Sequence, residues 1–243
     1  MNGVPALTRL EIVRVFRNRR VMFFSILYPT LLFVVIGGSA KGEISGVPVR
    51  NYYMVAMALF GALGAALMNN AQKIAQERTD GWIKQLRLTT LSGNGYVIAK
   101  TTSAALLTLP AIVVVFAVGA GMGVHLRALV WLAATLIIWF VSFAFTALGI
   151  AIGYAVPQDS VQLVSMITYI AMAILGGLWF PLGSGTMADI GSALPSYAAR
   201  HYVMNRVSGL SGDGRDLLVI TLWVVGAIAF AGYVYRRDAK IEA

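Results

Sequence analysis

Long unbroken runs of apolar residues dominate the chain. Six stand out, at 21–38, 52–70, 97–123, 128–155, 161–181 and 217–235. Each approaches or exceeds the ~20 residues a helix needs to cross a hydrocarbon layer about 30 Å thick. The pattern predicts an all-α integral membrane fold of six transmembrane helices, forming a single domain over 1–243. The first run, behind Arg17, Arg19 and Arg20 and ending Gly38-Ser39-Ala40, also fits a signal peptide with a small-residue cleavage site. With Met1 kept in the chain, we expect a span.

Polar positions between the runs carry their own periodicity. Over 4–20, Ala6, Leu10, Val13 and Phe16 fall on one helical face, and Thr8, Glu11, Arg14 and Asn18 on another. This predicts an amphipathic N-terminal interfacial helix whose arginines meet anionic head groups. A plain basic flank that sets topology is the alternative, but it would not need the periodicity. In the loop after the second run, Trp82, Ile83 and Leu86 share a face, with Lys84 and Arg87 on another. A short helix with an apolar knob and a basic rim suits docking in a groove of a cytosolic protein. It suits equally an interfacial loop helix with no partner.

Before the last run, Pro181 and Pro195 interrupt a segment that stays partly apolar, Gly176-Gly177-Leu178-Trp179-Phe180-Pro181 and then Leu194-Pro195-Ser196-Tyr197. Short re-entrant or outer interfacial helices are expected there, with an exposed loop as the alternative. Within the runs, small residues recur four apart: Gly61 with Ala65, Ala58 with Ala62 and Ala66, Gly149 with Gly153. That spacing permits close helix approach, although glycine and alanine are common in membrane helices anyway.

Composition agrees with a bilayer protein. Charged residues are 12% and apolar residues 58%, against about 25% charged in a soluble domain. The net charge of +9 does not read as a nucleic-acid surface, because it sorts by predicted membrane side. Arg9, Arg14, Arg17, Arg19, Arg20, Lys73, Arg78, Lys84, Arg87, Lys100, Arg236, Arg237 and Lys240 share one side; Lys41, Arg50, Arg127, Arg200, Arg206 and Arg215 lie opposite. The positive-inside bias therefore puts both termini and the 71–96 loop in the cytoplasm.

Missing chemistry narrows the energy source. All ten acidic residues fall outside the six runs, whereas ion-coupled pumps usually keep an ionisable group at bilayer depth. A sodium-coupled carrier using carbonyls and hydroxyls stays open. No GxxxxGK[ST] loop is present, so ATP power would have to come from a partner, and no HExxH or GxSxG supports an enzyme. There are no cysteines, and His125 and His201 fall in outward-facing segments. We expect no metal, no cofactor and no catalytic residue on this chain.

Glu77-Arg78, Gly81, Leu86, Thr89 and Lys100 resemble the E-R-x-x-G-x-x-x-x-L-x-x-T-P … G-K stretch of the ABC-2 type permeases. Gly177, Pro181, Leu194 and Pro195 are similar to that family's G-x-x-x-P … L-P signature. Thr90 and Ala99 depart from its usual proline and glycine. The resemblance implies that Glu77, Arg78, Gly81 and Leu86 belong to an ATPase-coupling element, to which the amphipathic loop helix adds Trp82 and Ile83, and that the second stretch caps the translocation route outside. It further implies a partner ABC ATPase in two copies, holding ATP and Mg, and a second permease copy or close homologue. The compact length looks most like the bacterial drug and antibiotic exporters of the inner membrane, and direction of transport rests on that likeness. Met54, Met57, Phe60 and Met68 are candidates for a route taking lipophilic or amphiphilic cargo, or else packing or lipid-facing residues. Lipid or glycan-precursor export is the nearest alternative, and an ATPase-independent channel or scaffold the alternative of another class.

Overall fold

The computed structural model describes residues 23–39, 41–81 and 93–241. The expected interfacial helix over 4–20 and the loop helix carrying Trp82, Ile83 and Leu86 lie outside those residues. A π-helical turn, Phe23–Leu27, leads into α1 (Tyr28–Ser39). A two-stranded antiparallel hairpin follows, β1 (Glu43–Ile44) with β2 (Val47–Pro48), pairing Glu43 with Pro48 and Ile44 with Val47. Its turn residues Ser45 and Gly46 both have positive φ, 51° and 76°, the backbone that matches strand twist in a two-residue hairpin.

The second apolar run forms a longer helix than its hydropathy indicates. α2 (Val49–Leu63), a π-helical turn (Gly64–Met68) and α3 (Asn69–Thr79) make one continuous helix of 31 residues. Its polar last turns, beyond residue 70, stay helical because Ala71, Ile74 and Ala75 still bury against neighbours. Next come α4 (Gly93–Gly121, with Pro110 inside), α5 (Ala128–Ala155) and α6 (Gln158–Leu175). Two short helices, α7 (Thr186–Ser192) and α8 (Pro195–Val207), precede α9 (Gly214–Ile241). Pro195 opens α8 at a first-turn position, where its missing N–H has no helical acceptor to lose.

Among the described residues four helices are long and apolar enough to cross a membrane: Val49–Thr79, Ala128–Ala155, Gln158–Leu175 and Gly214–Tyr235. Two shorter apolar stretches, Ser25–Ser39 and Thr108–Gly121, accompany them. The run at 161–181 does not stay helical throughout. α6 stops at Leu175, and Gly176–Pro181 leaves the helix axis.

The α2–α3 helix is the axle of the bundle, packed against α1, α4, α5, α6 and α8, while α5 and α9 form the most extensive helix pair. Glycine permits the closest approaches. A Cβ on Gly153 would lie 2.6 Å from Ile74 Cβ and 2.8 Å from Ala71 O, and one on Gly149 would collide with the Leu67 carbonyl. The spacing of Gly149 and Gly153 thus seats α5 directly on the α2–α3 backbone. Outward faces are apolar: Leu132, Leu163, Leu222 and Val225 are each more than half exposed.

Candidate functional site

The bundle has two chemically distinct ends, joined by the α2–α3 helix. At one end Glu77 is buried and Arg78 reaches sideways to α5. Its Nη1 donates to Gly153 O at 3.1 Å, and the guanidinium lies 5.9 Å from the Tyr154 ring centre. Tyr154 in turn meets Tyr235 of α9 edge to face at 5.4 Å. The helix ends at Thr79, and Gly81 turns the chain away with φ 69°, a left-handed conformation that glycine adopts without strain. Of the first two residues of the expected coupling element, Glu77 is buried and Arg78 is fixed to α5, which Tyr154 joins to α9. Trp82, Ile83 and Leu86 follow outside the described residues.

The opposite end is built around the termination of α6. Gly177 N–H donates to Ile174 O and Leu178 N–H to Ala173 O, each at 2.9 Å. With Gly177 at φ 68°, this is a Schellman stop, in which a left-handed glycine lets the last carbonyls find donors. Side chains from two other helices bond the carbonyls of this stop. Tyr52 OH of α2 donates to Gly177 O at 2.5 Å, Arg200 Nε of α8 to Gly176 O at 2.7 Å, and Ser196 Oγ to Met172 O at 2.7 Å. The structure thus brings Gly177 against the first turns of α8, which Leu194 and Pro195 begin. Pro181 sits apart, exposed, in the loop lining an open groove of about 390 Å³ over Phe180–Ala188.

By sequence Arg50 and Arg200 are only two of the minority positive charges on the outward side. Each caps a helix C-terminus, where unsatisfied carbonyls attract a cation. Arg50 donates to Gly37 O at the end of α1 (3.2 Å) and to Met122 O just beyond α4. Three helices terminate at this end, which gives its arginines something to bind besides water.

Met54 and Met57 are fully buried, Met54 against Gly119 of α4. Phe60 is buried beneath an aromatic cluster that the sequence did not single out: Tyr169 stacks on it at 4.7 Å, Trp179 meets it edge-on at 5.8 Å and Tyr28 lies 6.3 Å away. Met68 is half-buried. Of the three buried ones, Phe60 is the one covered by partly exposed rings, Tyr28 and Trp179.

His201 Nδ1 and Asp216 Oδ2 lie 2.8 Å apart, linking α8 to the first turn of α9, and His201 stacks on Tyr197 at 5.7 Å. Asp216 is buried, although its position before the last apolar run marked it as peripheral. With Asp213 these side chains place three ligand-type atoms within 4.8 Å of one another, the group among the described residues with the donors to hold a metal. The carboxylate of Asp213 also accepts the Arg215 N–H at 2.9 Å, so the cluster is knit by its own hydrogen bonds.

A model of the ABC-2 family transporter protein matches residues 45–234, which include both ends of the α2–α3 helix and the whole Gly176–Arg200 knot. The chain is also similar to YvfS of Bacillus subtilis (strain 168), whose name describes it as a transport permease. The two are 25% identical over 245 residues, covering 99% of this chain and all of that protein.

Proposed function

The chain belongs to the ABC-2 transporter family and is a membrane subunit of a transporter; on that premise we propose that it is the six-span permease of an ATP-driven exporter. In this reading a lipophilic or amphiphilic small molecule, of drug or antibiotic type, moves outward from the cytoplasm or inner leaflet. Two copies of a separate ABC ATPase supply the power, and a second permease copy or close homologue completes the route. The permease lies in a bacterial inner membrane with both termini cytoplasmic.

One observation carries the reading. A single buried helix, Val49–Thr79, runs from Glu77 and Arg78 at one end to Tyr52 at the other. The two points are roughly 40 Å apart at the helical rise per residue. Force applied to the loop after Thr79 reaches the Tyr52–Gly177 contact through one continuous helix, without a chain of loops. ATP binding at the ATPase would favour a packing in which that contact opens, shifting population between two arrangements.

The pairing face is supported by α6. It is the least apolar and the least buried of the four long spans, and exposes Gln162, Leu163, Met166 and Ile167. A span that is less apolar than its neighbours and little packed within one chain has surface free for a second permease copy. Tyr28 and Trp179, packed over Phe60 and Tyr169, adjoin that face and offer aromatic surface to lipophilic cargo.

The test is affinity purification of the tagged chain in mild detergent from its own cells, comparing wild type with a Glu77→Ala, Leu86→Ala double variant. An ABC ATPase should co-purify with wild type and be lost, or hydrolyse ATP uncoupled, in the variant. A folded wild-type chain that retains no ATPase under any nucleotide condition refutes the exporter reading and favours a channel or scaffold.

A further inference from the structure

At the end of the bundle that carries Gly177, a buried charge has no carboxylate partner among the described residues. It belongs to Arg200, which is 7% exposed. Its Nε donates to Gly176 O, and the Tyr52 and Tyr197 rings lie 5.4 Å and 4.8 Å from its Cζ. The two terminal nitrogens donate to no acceptor among the described residues. Arg50 makes the contrast, dividing its donors between two helix ends.

A guanidinium is a fork of donors shaped for a carboxylate or phosphate. Burying one against a single neutral carbonyl leaves much of its desolvation uncompensated, and the two rings offset only part of that. The charge is also reachable. Its terminal nitrogens are not among the fully enclosed unsatisfied atoms. Gly177 packs its backbone against the group, since a Cβ there would stand only 3.0–3.2 Å from Nε, Cζ and Nη2, so the guanidinium lies directly beside the start of the Gly177–Pro181 segment. Trp179 and Phe180, 38% and 44% exposed, continue from that glycine as an apolar shelf.

We infer that Arg200, flanked by Tyr52 and Tyr197, binds the anionic head of an amphiphile, a phosphate or carboxylate whose tail lies along Trp179 and Phe180. Helix capping accounts for the Nε bond; the unused terminal donors account for the ligand. That the bound molecule is cargo at its exit rests on the exporter reading above, whereas the binding itself does not.

The test uses the purified chain in a neutral maltoside detergent with dodecyl phosphate as probe, followed by native mass spectrometry and hydrogen exchange. The expected result is one dodecyl phosphate per chain, slowed exchange over residues 195–204, and affinity at least tenfold weaker in Arg200→Gln but largely kept in Arg200→Lys. Competition by phosphatidylglycerol would identify bilayer lipid as the source of the head group, within the inference. Equal competition by inorganic phosphate would show a free-anion site and overturn the amphiphile assignment. Equal binding of dodecyltrimethylammonium, or undiminished binding by folded Arg200→Gln, would overturn the site. Should Arg200→Gln fail to fold, wild-type exchange decides, and unchanged exchange over 195–204 refutes the inference. No ATPase is present in this assay, so its failure and that of the exporter reading are read separately.

Discussion

At the scale of single residues, glycines set the closest contacts and two of them make opposite predictions. Gly153→Ala forces a methyl into Ile74 and the Ala71 carbonyl and should destabilise the bundle by about 1–3 kcal/mol, as overpacking does. Gly226→Ala meets nothing within 4 Å and should be neutral or slightly stabilising through helix propensity. Thermal unfolding of both variants in detergent, followed by tryptophan fluorescence, checks the pair. At the far end, Tyr52→Phe strips the hydroxyl from the Gly177 carbonyl, leaving a buried acceptor unsatisfied at a cost of about 1–3 kcal/mol. Its unfolding midpoint should fall while the helical circular dichroism at low temperature stays unchanged. Sequence spacing made Gly149 and Gly153 legible because small residues four apart have one geometric use between packed helices. It could not reveal Arg200 or Asp216 as buried. Both sit outside the apolar runs, and nothing local says that α8 folds back into the bundle to cover them.

At the scale of elements, the expectation of short helices around Pro195 met α7 and α8, and α8 is more than a surface cover. Ser196, Ala198, Ala199, Val203 and Met204 bury against the bundle, and His201 ties α8 to α9 through Asp216. Removing that tie should loosen one element only. In His201→Ala, hydrogen exchange should accelerate over 195–216 and remain unchanged in α2 and α4; acceleration throughout would mean the pair holds the whole fold together. Helix ends were less legible than helix cores. The apolar run at 161–181 extends past the Schellman stop because Leu178, Trp179 and Phe180 are as oily as the helix they follow. The run at 52–70 stops short of Thr79 because the last turns bury one face only. That α2 meets protein all round, with every residue from Met54 to Leu63 buried, is hidden in the sequence, because an apolar run reads the same whether protein or lipid surrounds it. Met54 and Met57 accordingly stood as candidates beside Phe60, although they lie deep in the packing.

At the scale of the whole molecule, one helix joins the two ends, and which end faces the cytoplasm is testable. The chain has no native cysteine, so single cysteines report sidedness cleanly. Ser45→Cys, at the exposed hairpin tip, should react with a membrane-impermeant maleimide added to intact cells, and Asp80→Cys only after lysis; the reverse pattern would invert the proposed orientation. The central claim, that the Tyr52–Gly177 end must open for the ATP cycle to proceed, is tested most directly by fastening it. Tyr53 OH already donates to Trp179 O at 3.2 Å across the same contact, so Tyr53→Cys and Trp179→Cys can be bridged by a short bis-methanethiosulfonate. In the co-purified ATPase complex, bridging should lower ATP turnover at least tenfold without releasing the ATPase, and a reductant should restore it. Full turnover with the bridge intact would contradict the account.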